Sequence, residues 1–206
     1  MERCIIFSGG KPEMCLPEGL DVKDAFVIAA DKGYKCCKKL GIAPDLTIGD
    51  FDSLGYIPQE CEHIKYPKEK DDTDLMLAAK EAVCRGYSDI TILCALGGRA
   101  DHLFANIQTL AFIRSEGAWG RILSAYEEIT LLTPGDYTFK KREGFSLSVF
   151  AYSDLVEGLT LRGVKYPTND IQLSSLFPLG VSNEIVSDTA EVCFEKGLLL
   201  VIRSKL

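Results

Sequence analysis

Two aspartates one residue apart, Asp50 and Asp52, follow a short apolar run at 46–48 and a glycine. A strand that ends in this way places both carboxylates at the carboxyl edge of a sheet, where α/β folds bind ligands. Oxygen-only ligation by carboxylates is the preference of Mg²⁺, which commonly also holds phosphate oxygens of a substrate. An ordinary surface turn uses the same residue types. The motif alone therefore leaves a turn and a metal site open.

Further acidic residues occur at similar structural positions downstream. Asp74 opens an amphipathic helical pattern that Gly86 can end, and Asp72 or Thr73 is its expected N-cap. Asp101 follows the next strong strand candidate. If the strands before these residues are neighbours in one sheet, the carboxylates converge on one crevice and form a magnesium site. The acidic clusters expected to converge are Asp50 with Asp52, Asp72 with Asp74, and Asp101.

The segment after the predicted strand 90–96 combines two glycines with a basic side chain. Gly97 and Gly98 precede a helix, so backbone N–H groups and the helix N-terminus can approach a phosphate. The planar guanidinium of Arg99 suits phosphate oxygens, and a lysine such as Lys70 would be a second basic contact to the phosphates. Neither a P-loop nor a GxGxxG motif is present. These residues predict Mg²⁺-assisted phosphoryl chemistry and leave transferase and hydrolase open.

Composition limits the class of protein. A chain of 206 residues with 47% hydrophobic residues can bury a core in one large or two small domains. The net charge of -7 argues against a nucleic-acid binder. The first apolar run is too short for a signal peptide, and no later run approaches a membrane span. We expect a cytoplasmic protein with no nucleic-acid or membrane partner.

The sequence has eight cysteines but only two histidines, and no C-x-x-C pair, so a zinc site is not expected. The cysteines are expected to be reduced, small buried hydrophobes, with Cys94 inside the predicted strand as the clearest example. A redox role for the adjacent Cys36 and Cys37 is the alternative.

The pattern of elements changes along the chain. A β-loop-α rhythm through residue 116 predicts parallel strands joined by crossover helices. Gly41 is expected to end the first helix, and residues 55–70 are expected to form a connector. After Trp119, apolar residues alternate at period two between turn signals, which predicts antiparallel strands. The expected fold class is α/β, with an N-terminal parallel-sheet Rossmann-like domain at 1–125 and a C-terminal antiparallel β-sandwich domain at 126–206.

Taken together and in order, these motifs resemble those of the thiamine pyrophosphokinase family. The resemblance rests on Ala30-Asp31-x-Gly33, on the segment from Gly41 to Ser53, on Lys70-Asp71-x-Thr73-Asp74, on Gly97-Gly98-Arg99-x-Asp101-His102 with Asn106, on Gly163-Val164-Lys165-Tyr166-Pro167 and on Gly180-Val181-Ser182-Asn183-Glu184. It runs from the first predicted strand to nearly the last. One departure is Lys32, at a position where the family often has glycine. A lysine beside the nucleotide could contact a phosphate, but its side chain is expected to point to solvent.

The resemblance implies transfer of a pyrophosphoryl group from ATP to the hydroxyethyl group of thiamine, which gives thiamine diphosphate and AMP. It implies Mg²⁺ as cofactor, ATP as co-substrate, and a homodimer with active sites at its interface. Residues 1–125 would be the catalytic domain that binds ATP and Mg²⁺, and residues 126–206 the thiamine-binding domain.

The resemblance also implies roles for individual residues. Asp50, Asp52 and Asp74 would be the carboxylates of the magnesium and phosphate site. Asp101 would bind metal or take the hydroxyl proton, and Arg99 would contact phosphate. Residues expected near the nucleotide are Ser8, Gly9, Asp31, Gly33, Lys70, Thr73, Gly97 and Gly98, and those on the thiamine side are Ser182 and Asn183.

Two rival functions use the same features. A magnesium-dependent phosphohydrolase would use these carboxylates to activate water and would release phosphate or pyrophosphate. A sensor of thiamine or nucleotide would keep the fold without a working metal centre. The intact set of carboxylates argues against the sensor, and the carboxyl-terminal signatures argue against the hydrolase.

Overall fold

The computed structural model describes residues 2–12 and 15–206. The chain divides into two compact units, Met1–Ala125 and Tyr126–Leu206. The first unit contains helices and parallel strands, and the second contains antiparallel strands. The predicted mixed α/β class with antiparallel strands in the carboxyl-terminal part is therefore confirmed.

The first unit contains a parallel sheet whose spatial order is β6-β5-β1-β2-β3-β4. Its strands are β1 (Arg3–Phe7), β2 (Phe26–Ala30), β3 (Leu46–Gly49), β4 (Glu62–Lys65), β5 (Asp89–Leu93) and β6 (Trp119–Leu123). Its helices are α1 (Gly33–Leu40), α2 (Asp74–Cys84) and α3 (Ala100–Ser115). Because β5, β1, β2 and β3 are adjacent and parallel, the loops that follow them meet at one edge of the sheet.

The central strands are continuous apolar runs because both of their faces are covered. Ile6 in β1, Ile28 in β2, Ile48 in β3 and Ile92 in β5 are fully buried. Because these strands are buried, the residue at which each strand ends is fixed. The polar residues that follow are therefore held on a rigid base.

Two helix boundaries follow the sequence signals. Gly41 is the C-cap of α1 with a left-handed φ of 69°, a conformation that glycine adopts without steric cost. The Thr73 hydroxyl accepts the backbone N–H of Met76 at 3.1 Å and caps α2. Gly41 as the end of α1 and Thr73 as one of the two expected N-caps of α2 are thus confirmed.

Two details differ from the sequence expectation. Residues 55–70 were expected to be a connector, but Glu62–Lys65 forms the edge strand β4 beside β3. Its mostly exposed, polar side chains produce no apolar alternation. The expected strand over 90–96 is also too long, because β5 ends at Leu93 and Cys94 has a φ of 55°.

No cysteine among the described residues forms a disulfide bond, and half of the eight are buried as expected. Cys4, Cys36, Cys37 and Cys94 are buried, whereas Cys15 and Cys84 are exposed. Burial raises the pKa of Cys4 to about 12, so its thiol stays neutral at ordinary pH. The expectation of buried cysteines is wrong for the two exposed ones.

The second unit contains two antiparallel groups of strands, with spatial orders β12-β9-β14-β7 and β11-β10-β13-β8. The strands are β7 (Glu127–Leu132), β8 (Gly135–Lys140), β9 (Ser146–Ala151), β10 (Leu155–Arg162), β11 (Thr168–Ser174), β12 (Gly180–Glu184), β13 (Thr189–Phe194) and β14 (Leu199–Ser204). Side chains from both groups, such as Val149, Leu161 and Leu173, line an apolar cavity of about 170 Å³. In the described residues, no helix is long and apolar enough to cross a membrane.

Candidate active site

The loops at the carboxyl ends of β1, β2, β3 and β5 and the N-termini of α2 and α3 line a cleft of about 460 Å³. The expected site residues that line it are Ser8, Gly9, Asp31, Asp50, Lys70, Thr73, Asp74, Gly98 and Arg99. Asp72, from the acidic clusters expected to converge, also lines it, as do Gly10 and Lys32 of the loops after β1 and β2. Lining residues outside the expected set include Lys68, His102 and Asn106. The cleft thus brings together residues that are far apart in the sequence.

Three non-glycine residues at this edge have a left-handed backbone. They are Asp31 (φ 43°), Phe51 (φ 62°) and Cys94 (φ 55°), and each directly follows or lies just beyond β2, β3 or β5. Such conformations cost free energy and concentrate at functional sites. In the loop after β3, the buried Phe51 ring anchors the turn, so the flanking Asp50 and Asp52 take different environments.

Glycines at this edge allow close backbone approach. A Cβ on Gly33 would lie 1.9 Å from the Phe7 carbonyl oxygen, and one on Gly10 would lie 2.4 Å from the Cys94 carbonyl oxygen. Gly33 does not line the cleft. Its observed role is to let the start of α1 pack against the end of β1, which places Asp31 and Lys32 at the cleft.

The carboxylates of the cleft surround one ammonium group. The Nζ atom of Lys70 lies 2.9 Å from Oδ1 of Asp74 and 3.5 Å from Oδ2 of Asp50. Asp31 is 9% exposed, and its buried Oδ1 atom accepts no hydrogen bond in the described part of the chain. The cleft therefore contains more anionic oxygens than its one inner cation neutralises.

The pKa shifts in this cluster reflect burial and charge. The pKa of Asp74 is raised, chiefly by burial, although Lys70 opposes the shift; the charges of Asp31 and Asp50 also raise it. The pKa of Asp50 is lowered, first by the backbone N–H of Asp52 and then by the Lys70 charge. Burial lowers the pKa of Lys70, but the hydrogen bond and charge of Asp74 outweigh it. Buried, mutually close carboxylates of this kind favour binding of a cation.

Asp52 and Asp101 do not line the cleft. The Asp52 side chain is 54% exposed and pairs with Lys68 at 2.8 Å. Asp101 lies in the first turn of α3, where its Oδ1 atom accepts Nε of Arg99 at 3.1 Å. Within residues 2–12 and 15–206, no group of three acidic, histidine or cysteine side chains is arranged to hold a metal ion. Asp52 and Asp101 are therefore not gathered into one cluster with Asp50 and Asp74 here.

Helix α3 contributes polar side chains beside Arg99. The buried Asn106 donates from Nδ2 to the Ala95 carbonyl oxygen at 2.8 Å, which ties α3 to the loop after β5. His102 also lines the cleft, and its backbone N–H donates to Asp101. Gly97 has a φ of 71° and lies outside the lining. Both Asn106 and His102 belong to the sequence motif, which was the available signal for them.

The two residues expected on the thiamine side lie on β12 in the second unit. Asn183 is buried; its Oδ1 atom accepts the backbone N–H groups of Tyr166 and Glu184, and its Nδ2 atom donates to the Tyr166 carbonyl oxygen. Ser182 is exposed with a φ of 57°. Asn183 thus fixes the backbone of Tyr166, whose ring is 61% exposed. Tyr166 was absent from the expected site, although it lies in the motif at 163–167.

Comparison with known proteins gives matches in both units. A model of the family "Thiamin pyrophosphokinase, catalytic domain" matches residues 20–118, and a model of "Thiamin pyrophosphokinase, vitamin B1 binding domain" matches residues 136–199. The thiamine pyrophosphokinase of Bacillus subtilis is 34% identical over 215 residues, which cover 99% of each chain.

Solved structures agree over the whole length. The crystal structure of thiamine pyrophosphokinase from Bacillus subtilis matches with a TM-score of 0.89 at 31% identity, over 100% of both chains. A thiamin pyrophosphokinase family protein from Enterococcus faecalis matches with a TM-score of 0.86 at 30% identity, also over 100% of both chains. The chain therefore belongs to the thiamine pyrophosphokinase family.

Proposed function

We propose that this protein transfers the pyrophosphoryl group of ATP to the hydroxyethyl group of thiamine and releases AMP. The observation that carries the proposal is the cleft at the carboxyl edge of the parallel sheet, which combines carboxylates around a cation with glycine loops and basic side chains. Membership of the family gives this chemistry its substrates. The second unit would then be the thiamine-binding part.

The residues of the cleft fit a magnesium ion. Asp31 has a buried oxygen without a hydrogen-bond donor, and Asp50 and Asp74 already hold a cationic group between them. Carboxylate oxygens are the ligands that Mg²⁺ prefers. We propose Asp50 and Asp74 as its inner ligands. Asp52 and Asp101 lie outside the cleft lining, and they would become the further carboxylates of the site once released from Lys68 and Arg99.

The reaction follows from this arrangement. The thiamine hydroxyl oxygen bonds to the β-phosphorus of ATP, and the bond between that phosphorus and the α–β bridging oxygen breaks. AMP leaves with the bridging oxygen, and the hydroxyl proton is released to water. Bound Mg²⁺ would neutralise the charge on the phosphates. Arg99, which lines the cleft, would contact a phosphate and release Asp101 when it does so. Positioning of the two substrates and electrostatic stabilisation of the transition state supply most of the catalysis of phosphoryl transfer. Early deprotonation of the hydroxyl is therefore not required.

The thiamine side would lie in the second unit. Thiamine carries a positively charged thiazolium ring, which binds favourably to an aromatic face. Tyr166 presents such a face, and Asn183 holds its backbone in place. We propose Tyr166, Ser182 and Asn183 as this part of the site. The two units would then correspond to a Rossmann-like domain and a β-sandwich.

The homodimer with active sites at its interface is part of the proposal. The segment around the start of β12 exposes large apolar side chains, with Leu176 92%, Phe177 65% and Leu179 56% exposed. A contiguous apolar surface of this kind is typical of an interface between proteins. We name Leu176, Phe177 and Leu179 the apolar patch and propose that a second copy of the chain covers it.

The function is tested by measuring AMP. With ATP and Mg²⁺ present, AMP is expected to form only after thiamine is added, together with an equal amount of thiamine diphosphate. The phosphohydrolase alternative activates water instead. AMP or phosphate released equally fast without thiamine would therefore contradict the proposal.

Replacement of Lys70 by methionine is expected to increase the stabilisation of the fold that Mg²⁺ provides. The change leaves Asp50 and Asp74 without their cation, so the free energy of unfolding in EDTA is expected to fall by about 1–3 kcal/mol. Mg²⁺ would restore more stability in the variant than in the wild type, because it no longer competes with the ammonium. Thermal unfolding with EDTA and with Mg²⁺ measures both effects.

The control is Lys38→Met, which removes an exposed ion pair with Glu60 outside the cleft. This variant is expected to respond to Mg²⁺ as the wild type does. An identical magnesium response in the Lys70 and Lys38 variants would contradict the placement of the metal.

The apolar patch gives a prediction about assembly. Leu176→Asp is expected to convert a dimer into a monomer, since the charge would be buried in the interface. Sedimentation velocity measures the change, and circular dichroism checks that the exposed position leaves the fold intact. Val186→Asp, at another exposed apolar side chain (59%), is the matched control. A wild-type monomer, or a dimer unaffected by Leu176→Asp, would refute the patch as the interface.

A further inference from the structure

Four basic side chains line the cleft, namely Lys32, Lys68, Lys70 and Arg99. Three of them are already bound to a carboxylate. Their ion pairs are Lys68 with Asp52 at 2.8 Å, Lys70 with Asp74 at 2.9 Å, and Arg99 with Asp101 at 3.1 Å. Within residues 2–12 and 15–206, Lys32 forms no ion pair. It is therefore the lining cation whose charge is not offset by a neighbour.

The backbone holds Lys32 at the cleft. It directly follows Asp31, whose left-handed φ of 43° turns the chain at the end of β2. It is the N-cap of α1, and its side chain makes no capping hydrogen bond. A Cβ on Gly9 would lie 3.3 Å from Cβ and 3.9 Å from Cδ of Lys32. The aliphatic part of the side chain thus lies across the glycine loop after β1.

This placement matters for an incoming anion. A phosphate that binds Lys68, Lys70 or Arg99 must compete with the carboxylate that each already contacts, which reduces the net gain in free energy. A phosphate that binds Lys32 has no such carboxylate to displace. Glycine at position 9 leaves room for the aliphatic part of Lys32 beside the loop after β1, because it has no side chain to fill that space.

We propose that Lys32 binds the polyphosphate of the nucleotide and increases the affinity of the cleft for ATP. The inference rests on the proposed function, because it takes ATP as the nucleotide. It assigns a phosphate contact to a side chain that the sequence expectation directed to solvent. The side chain is exposed, as expected, yet it lines the cleft.

The test compares nucleotide binding by Lys32→Met with binding by the wild type. The ligands are α,β-methylene ATP with Mg²⁺, whose α–β bridge cannot be cleaved, and adenosine, which has no phosphate. Titration calorimetry without thiamine gives the dissociation constants. Lys32→Met is expected to weaken binding of the triphosphate by about 5- to 20-fold, the range of one charge-assisted contact, and to leave adenosine affinity unchanged.

Two further variants complete the design. Lys32→Arg keeps the charge and is expected to stay within about twofold of the wild type, because guanidinium also binds phosphate. Lys23→Met removes an exposed lysine outside the cleft lining and is expected to bind both ligands normally. The salt dependence of triphosphate binding is expected to be weaker in Lys32→Met than in Lys23→Met, since one phosphate contact is lost.

The results separate this inference from the proposed function. A wild type that makes AMP only with thiamine, but a Lys32→Met variant with unchanged triphosphate affinity, would overturn the role of Lys32 alone. Equal losses of adenosine and triphosphate affinity would also overturn it, because they indicate a structural effect. A wild type that binds neither ligand would overturn both.

Discussion

Replacement of Asp74 or Asp50 by asparagine is expected to lower the rate of thiamine diphosphate formation by about a thousandfold or more. The amide keeps the size of each side chain but removes the charge that holds a cation in the cleft. Both side chains are partly buried, and an oxygen of Asp74 lies 2.9 Å from the Lys70 ammonium. A rate assay with saturating ATP, Mg²⁺ and thiamine measures the loss.

The fold is expected to survive these changes, because asparagine fills the same space at partly exposed positions. Circular dichroism and thermal unfolding check this. Asp154→Asn, at an exposed position in the second unit, is the control and is expected to keep full activity. Near-normal rates in both Asp50→Asn and Asp74→Asn would remove the proposed metal site.

Among Gly→Ala substitutions at this edge of the sheet, Gly33→Ala is expected to produce the largest loss of stability. The new Cβ would lie 1.9 Å from the carbonyl oxygen and 2.5 Å from the carbonyl carbon of Phe7. Both are backbone atoms of the buried strand β1, so α1 must move away from the sheet. Overpacking of this kind costs about 3 kcal/mol in the free energy of unfolding, which lowers the Tm by about 6–12 °C.

Because α1 carries Lys32 at its start, the same change is expected to reduce ATP-dependent turnover. Gly98→Ala is the matched control, since a Cβ there meets nothing within 4 Å. Its Tm is expected to stay close to that of the wild type. A Gly33→Ala variant as stable as Gly98→Ala would contradict the observed packing of α1 on β1.

The sequence predicted the position of the cleft because its signals are local. Strand ends marked by Gly9, Asp31 and Asp50 can be read from the apolar runs before them. The adjacency of β1, β2 and β3 brings these residues together. That adjacency depends on long-range strand pairing, which the local patterns of a single sequence do not reveal.

The direction of individual side chains could not be predicted. Asp50 and Asp52 are equivalent in the motif, but burial of the intervening Phe51 leaves Asp50 in the cleft and Asp52 paired with Lys68 in solvent. The same limit applies to Asp101, which the guanidinium of Arg99 holds outside the lining. Such choices depend on neighbours that are distant in the sequence.

The edge strand and the left-handed residues were missed for different reasons. Glu62–Lys65 forms β4 mainly through backbone pairing with β3, which leaves no apolar pattern to read. Cys94 is apolar and extends an apolar run, yet its φ of 55° ends the strand before it. In the second unit, by contrast, the alternation at period two was sufficient for strands such as β13, where Ala190, Val192 and Phe194 are buried on one face.

The fate of the γ-phosphate tests the central claim most directly. ATP labelled at the γ-phosphorus is incubated with the protein, Mg²⁺ and thiamine, and the products are separated. We expect the label in thiamine diphosphate, with an equal amount of unlabelled AMP and no ADP. Label in free phosphate or pyrophosphate, or release of ADP in place of AMP, would contradict transfer of an intact pyrophosphoryl group.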